Sequence, residues 1–358
     1  MKKIGIISMH RIINYGSFLQ AYGLKRLIED QTNCSVEFID YKYEKSLVEN
    51  DIIHETIIEK IKKNRSIVQY LKKKKYFKDV EKALIIDLKK IGIDQINYSR
   101  YVDSVVIGSD EVFNCMQPYP VGYSKNLFGK GYEDKNVISY AASFGHTKIE
   151  NLRKKGIDSE VSEMLSKFKA ISVRDKNSAS IIKELLNIEP EQHMDPVLIY
   201  EYEYEIDHYK IEETGYIIVY AYAGRLTVSE EKFIKQFAKK HNKKIYSIGH
   251  YSRIADKNII CNPFYVFSYF KKADYIITDT FHGTIFSIKT NSKFCTLIRD
   301  SNRNKLEYLL KALNQYNRAV QSLQDIERLY NIDINYTSTN KIIETERKRS
   351  KQYLKDNL

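Results

Sequence analysis

The chain has 358 residues, a formal net charge of +12, 43% hydrophobic and 29% charged residues. That length and balance suit a globular protein with room for two domains, and exclude collagen-like and Pro-rich classes. Its four cysteines, Cys34, Cys115, Cys261 and Cys295, form no C-x-x-C pair, which argues against a disulfide framework and against a zinc site; no metal is expected.

In chain order, Ile4-Gly5-Ile6-Ile7-Ser8 is short, apolar and β-branched, and predicts a buried parallel strand. Asn14-Tyr15-Gly16-Ser17 is turn-like, and Phe18, Leu19, Tyr22, Leu24, Leu27 and Ile28 then recur at helical spacing. Val36-Glu37-Phe38-Ile39-Asp40 predicts the second strand of a βαβ unit. Residues 43–100, rich in Lys, Glu, Ile and Leu and free of proline, predict two or three helices inserted beside the sheet. Strands are expected at 104–108 and 137–145, with a helix over 152–168. A second alternating pattern starts at Ala170-Ile171-Ser172-Val173. It continues with a helix over 178–186, a loop at 195–198, strands at 216–220, 244–248, 275–277 and 294–297, and helices over 229–241, 264–272 and 284–290. The expected fold is α/β, two Rossmann-like domains with parallel sheets facing a cleft: 1–168, 169–335 and a C-terminal helix at 336–358.

The basic balance favours anionic partners. No basic stretch interleaved with aromatics signals nucleic-acid binding. The run Lys72-Lys73-Lys74-Lys75 reads first as a solvated helix face and second as a docking point for phosphate or anionic lipid. The N-terminal apolar run is too short for a signal peptide and no window of ~18 apolar residues occurs. A cytoplasmic protein, with peripheral contact at the inner membrane face, is the expectation.

Ligands of parallel α/β sheets bind beyond the carboxyl ends of the strands. That rule selects the loops at 14–17, 109–111, 143–145, 174–175, 195–196 and 278–283. In the last, "TDTFHG", Thr278, Asp279 and Thr280 can cap the following helix. Gly283 allows close backbone approach near a helix N-terminus, where anions bind. His282 can exchange a proton near neutral pH. The plain alternative is a structural histidine at a helix start. Arg174 at a strand tip suits a carboxylate or phosphate, or simply pairs with Asp175 or Asp195. Asp110 and Glu111 could cap a helix, and Asn14 and Ser17 could form only a turn.

Together "NYGSFLQAYGLKRLI" (14–28), "VVIGSDEVFN" (105–114), "SYAASFG" (139–145), "ISVRDKNSASII" (171–182), "DPVLI" (195–199) and "ADYIITDTFHGTIFSI" (273–288) resemble the polysaccharide pyruvyl transferase family, in family order. The resemblance implies a glycosyltransferase-B-like fold, with the acceptor on the N-terminal domain and the donor on the C-terminal one. It implies transfer of the enolpyruvyl part of phosphoenolpyruvate, as co-substrate and without a cofactor, to two hydroxyls of a glycan or lipid-linked saccharide. His282 matches the family histidine as general acid, with Asp110 a candidate base. Arg174 matches the family arginine, and Thr280, Gly283 and Thr284 join it as the implied donor site. Asn14, Tyr15, Gly16, Ser17, Ser109 and Phe144 are the implied acceptor side. Thr280 departs from the pattern: pyruvyl-transferring members tend to carry arginine there, two residues before the histidine. Arg299, Arg303 and Lys305 are candidates to supply that charge. A sugar-nucleotide glycosyltransferase and a non-catalytic relative stay open as alternatives.

Overall fold

The structure is a computed structural model that describes residues 2–44, 46–48, 66–118, 121–222 and 224–358. The chain opens with β1 (Lys3–Ile7), α1 (Tyr15–Thr32) and β2 (Ser35–Ile39). β1 is buried from Ile4 to Ile7, as a sheet covered on both faces requires, while β2 buries Val36, Phe38 and Ile39 and leaves Ser35 exposed. Asn14 caps α1 by accepting the Ser17 amide at 2.7 Å. Of the expected helical insertion, one helix lies among the described residues, α2 (Ile67–Lys90), started by the Ser66 cap. Residues 45 and 49–65 of that expectation lie outside them.

Next come β3 (Ser104–Asp110) and β4 (Asn136–Ala142), then α3 (Ile149–Lys155) and α4 (Asp158–Leu165). The single helix expected over 152–168 is therefore two. Gly156, at φ 66°, ends the first in the left-handed conformation that only glycine adopts freely. β5 (Ser172–Val173), α5 (Lys176–Leu186) and β6 (Glu191–Gln192) complete a six-stranded parallel sheet in the order β2-β1-β3-β4-β5-β6. The boundary expected at 168/169 thus cuts a sheet. The strand at Ser172–Val173 pairs with β4, through Val173 opposite Ala142, and belongs with Arg174 to the first lobe.

The second lobe follows two short helices, α6 (Pro196–Ile199) and α7 (Glu203–His208). Its elements are β7 (Tyr216–Tyr220), α8 (Val228–Lys240), β8 (Lys244–Ile248), β9 (Lys257–Ile259), α9 (Tyr265–Lys272), β10 (Tyr275–Thr278), α10 (Phe281–Lys289), β11 (Phe294–Leu297), α11 (Arg303–Ala312), β12 (Ala319–Val320) and α12 (Leu323–Tyr330). They build a second parallel sheet in the order β12-β11-β10-β7-β8-β9. The last helix, α13 (Thr337–Asn357), returns to the first lobe, where the Tyr353 hydroxyl donates to Ser139 O at 2.8 Å. One apolar cluster runs through both lobes, from Tyr15 and Phe18 of α1 through Val197 of α6 to Phe267 and Phe286 of the second lobe. No helix among the described residues is long and apolar enough to cross a membrane.

Candidate active site

Arg174 and His282 meet at one carboxylate. Asp195 caps α6, accepting the Val197 amide at 2.9 Å on Oδ1. Its Oδ2 lies 3.1 Å from Arg174 Nη1 and 3.7 Å from His282 Nε2, the second distance within ion-pair range but beyond a hydrogen bond. Arg174 Nη2 donates to Asp110 Oδ1 at 2.9 Å, and the guanidinium stacks over the Phe281 ring at 4.7 Å. The side chains of Arg174 and Asp195 are almost wholly buried. Burial pushes the Asp195 carboxyl up, but His282 and Arg174 outweigh it and hold the group below its ordinary range. Burial likewise opposes the charge of Arg174, and Asp110, Asp195 and Glu111 hold its pKa above the usual value. The plain ion pair foreseen for Arg174 is real, and it is also the support of the histidine.

His282 sits in the first turn of α10. The facing residue of the other lobe is Gly16, where an added Cβ would lie 2.3 Å from His282 Nδ1. The ring is wedged between the start of α1 and Asp195. Asp110, in the left-handed region at φ 81°, and Glu111 close the first-lobe side. Glu111 accepts from Lys305 of the second lobe at 2.9 Å and from Asn114 at 2.8 Å. Burial raises its pKa, but Lys305 and Arg174 bring it down to about 2. A cavity of about 330 Å³ opens beside this cluster, lined by Arg174, Asp195, Phe281, Tyr308 and Arg349 among others.

Several expected residues build the frame instead. Thr280 is the cap of α10: its Oγ1 accepts the Gly283 amide at 2.9 Å, so that amide is spent within the turn. Gly283 is there because a Cβ would fall 2.2 Å from Thr278 Oγ1. Thr284 is fully buried, bonded to Thr280 O and Thr296 Oγ1. Phe144 lies in the first-lobe core beside Phe113, with no exposed surface for a sugar. Ser109 is equally buried and donates to Ala141 O. The Tyr15 hydroxyl crosses between the lobes, donating to Cys261 O and accepting the Cys261 amide. Asn14 and Ser17 bond to each other at the α1 cap.

A family model described as polysaccharide pyruvyl transferase matches residues 14–301, most of the chain. The chain belongs to the polysaccharide pyruvyl transferase family. Among curated proteins none matches it. Among solved structures it is similar to the S. aureus MnaA–UDP co-structure, at TM-score 0.50 and 14% identity over 96% of this chain and 95% of that one. It is also similar to Methanocaldococcus jannaschii UDP-GlcNAc 2-epimerase in complex with UDP-GlcNAc and UDP, at TM-score 0.48 and 10% identity over 96% and 99%. The fold is glycosyltransferase-B-like, two Rossmann-like lobes about a cleft. For a polysaccharide pyruvyl transferase, the threonine at 280 moves attention to other cations. Arg299 is held bidentately by Glu230, at 2.6 and 3.1 Å, and reaches Asp279. Arg303 pairs with Asp300 and Glu307 at the surface, and Lys305 with Glu111. Arg225, on the loop after β7, was not singled out from the sequence. It stacks on Tyr222 at 4.6 Å, donates to Asp279 O at 3.4 Å, and has no carboxylate partner among the described residues. The charges of Asp110 and Glu111 reach the Tyr222 hydroxyl from the other lobe. The strand-end rule that selected the other loops covers this one too; its signal is a lone arginine after the strand "YIIVY".

Proposed function

We propose that the chain transfers the enolpyruvyl part of phosphoenolpyruvate to two hydroxyls of a cell-surface glycan sugar, forming a cyclic pyruvate ketal. The observation that carries this reading is the meeting of His282 and Arg174 at Asp195, within a family whose members are transferases of this kind. The imidazolium of His282, supported by the Asp195 carboxylate, protonates C3 of the enol. The first sugar hydroxyl adds to the cationic C2, and its proton passes to a carboxylate, with Asp110, held by Arg174 in the same cluster, the candidate. The second hydroxyl then displaces phosphate: its oxygen bonds to C2 as the bond between C2 and the phosphate oxygen breaks, and its proton leaves with the phosphate.

Arg225 takes the role of donor-phosphate clamp in place of the arginine missing at 280, since it is half-buried and makes no direct ion pair among the described residues. Arg174 contributes through Asp195 and through its field, one N–H of each terminal nitrogen being committed to Asp195 or Asp110.

The test is phosphate release from phosphoenolpyruvate in the presence of a lipid-linked saccharide fraction. His282→Ala should lower turnover by about 10²–10⁴-fold. Arg225→Gln should raise KM for phosphoenolpyruvate by about tenfold or more. Absence of phosphate release, together with thermal stabilisation or turnover by a UDP-sugar, would sink the reading in favour of a glycosyltransferase.

A further inference from the structure

The helix α2 stands outside the catalytic cluster, and its outer face is unusual in kind. Its inner face, Tyr76, Val80, Leu84 and Leu88, is buried in the core that joins the lobes, and the Tyr76 hydroxyl donates to Ile259 O at 2.9 Å. The opposite face carries aliphatic side chains in open solvent. Ile67, Val68 and Leu71 are 55–56% exposed near the start, and Ile85 and Ile86 are 42% and 58% exposed near the end. Between the two groups, at i, i+1, i+4 and i+8 along the same face, stand exposed Lys74, Lys75, Lys78 and Lys82. None of the four has an ion-pair partner among the described residues, and Glu81 is the exposed acid that interrupts them.

We propose that this face of α2 docks the protein on an anionic lipid bilayer. A protein partner would favour aromatic residues and arginine and would disfavour lysine at the contact. This face is lysine and branched aliphatics, and α2 contains no arginine. A nucleic acid would use the lysines but leave the five aliphatic side chains in water. A bilayer surface uses both: the aliphatic groups enter the boundary between headgroups and acyl chains, and the lysines meet lipid phosphates. The helix spans about 36 Å, so the two aliphatic groups anchor its ends and the lysines cover the middle. The net charge of +12 adds long-range attraction of the same sign. The surface is independent of the chemistry proposed above; binding is read without turnover, so failure of either leaves the other standing.

The experiment is co-sedimentation of the full chain with vesicles of phosphatidylcholine alone and with about a quarter phosphatidylglycerol. Binding is expected to the anionic vesicles, weakened by salt, and near background on phosphatidylcholine. Changing Lys74, Lys75, Lys78 and Lys82 to Gln should cost roughly fivefold in partitioning per lysine. Leu71→Gln with Ile86→Gln should weaken binding with no change in the salt dependence. All six sites are exposed, so thermal melting should stay unchanged. Wild-type binding equal on both vesicles, or undiminished in the Gln variants, would overturn the proposal. So would a wild-type dimer that Leu71→Gln converts to monomer, because a second copy would then cover the face.

Discussion

Gly16 lacks a side chain because the His282 imidazole fills the space where one would go. The sequence offers this residue as part of a turn, and only the approach of the second lobe reveals the constraint. Gly16→Ala would push the ring from its place against Asp195 by about an ångström, a displacement that can cost about a hundredfold in rate. We expect kcat to fall while the melting temperature changes little, measured as phosphate release beside a thermal melt; unchanged kcat would show that the ring position does not matter. Arg174 poses the opposite case, a charge buried for two partners. Arg174→Ala would leave Asp110 and Asp195 uncompensated and cost about 3–5 kcal/mol, read as a lowered denaturation midpoint. At this scale the sequence pointed to His282, Arg174 and Asp110 through their strand-end positions. It could not separate side chains that face the cleft from Phe144, Ser109 and Thr284, because strand-end position says nothing about which way a side chain turns.

The start of α10 is where element and chemistry meet. Thr280 caps the helix, Gly283 fits beneath Thr278, and the residue just before that glycine, His282, is thereby aimed at Asp195. Thr280→Ala should cost about 1 kcal/mol through loss of the cap. Thr280→Arg should not restore a family-like donor clamp: position 280 is 2% exposed, so the guanidinium would have to break the packed polar turn that Thr280 forms with Thr278 and Thr284. The expected result is a lower melting temperature with no gain in turnover, checked by melting and phosphate release on the same preparation. Long periodic helices and apolar strands, such as α1 and β7, were legible because burial imposes their pattern. The two-residue strand β6 was not, being too short for a period to show; β5 was legible within residues 170–173, but its membership of the first sheet was not, because that is a matter of pairing.

At the scale of the molecule, Lys305 and Glu111 tie the lobes across the cleft at 2.9 Å. The Glu111 carboxyl drops from an ordinary 4.5 to about 2 in the fold. A depressed carboxyl adds stability above its unfolded value and loses it as pH falls through the folded one. The contribution is therefore full above about pH 4.5 and disappears on the way to about pH 2. Asp195, also held low, works in the same direction, whereas buried Asp279, held high by burial against Arg225 and Arg299, is relieved by acid. Glu111→Gln should flatten the loss of stability on acidification, seen in urea midpoints measured from neutral pH down to about 3. An unaltered acid limb would mean that the tie between the lobes carries no stability.

By itself the sequence determined the layers of this protein: alternating apolar runs and amphipathic helices can bury their apolar faces only as parallel sheets covered by helices, and the turn residues then fall at the strand ends. The tertiary structure alone decided where one lobe stops and the other begins. It also decided that Asp195 stands between Arg174 and His282, and that Arg225 makes no ion pair among the described residues. These are relations between residues far apart in the chain, and they are fixed by strand pairing and by the packing of α1 and α10 on α6, which no local pattern records.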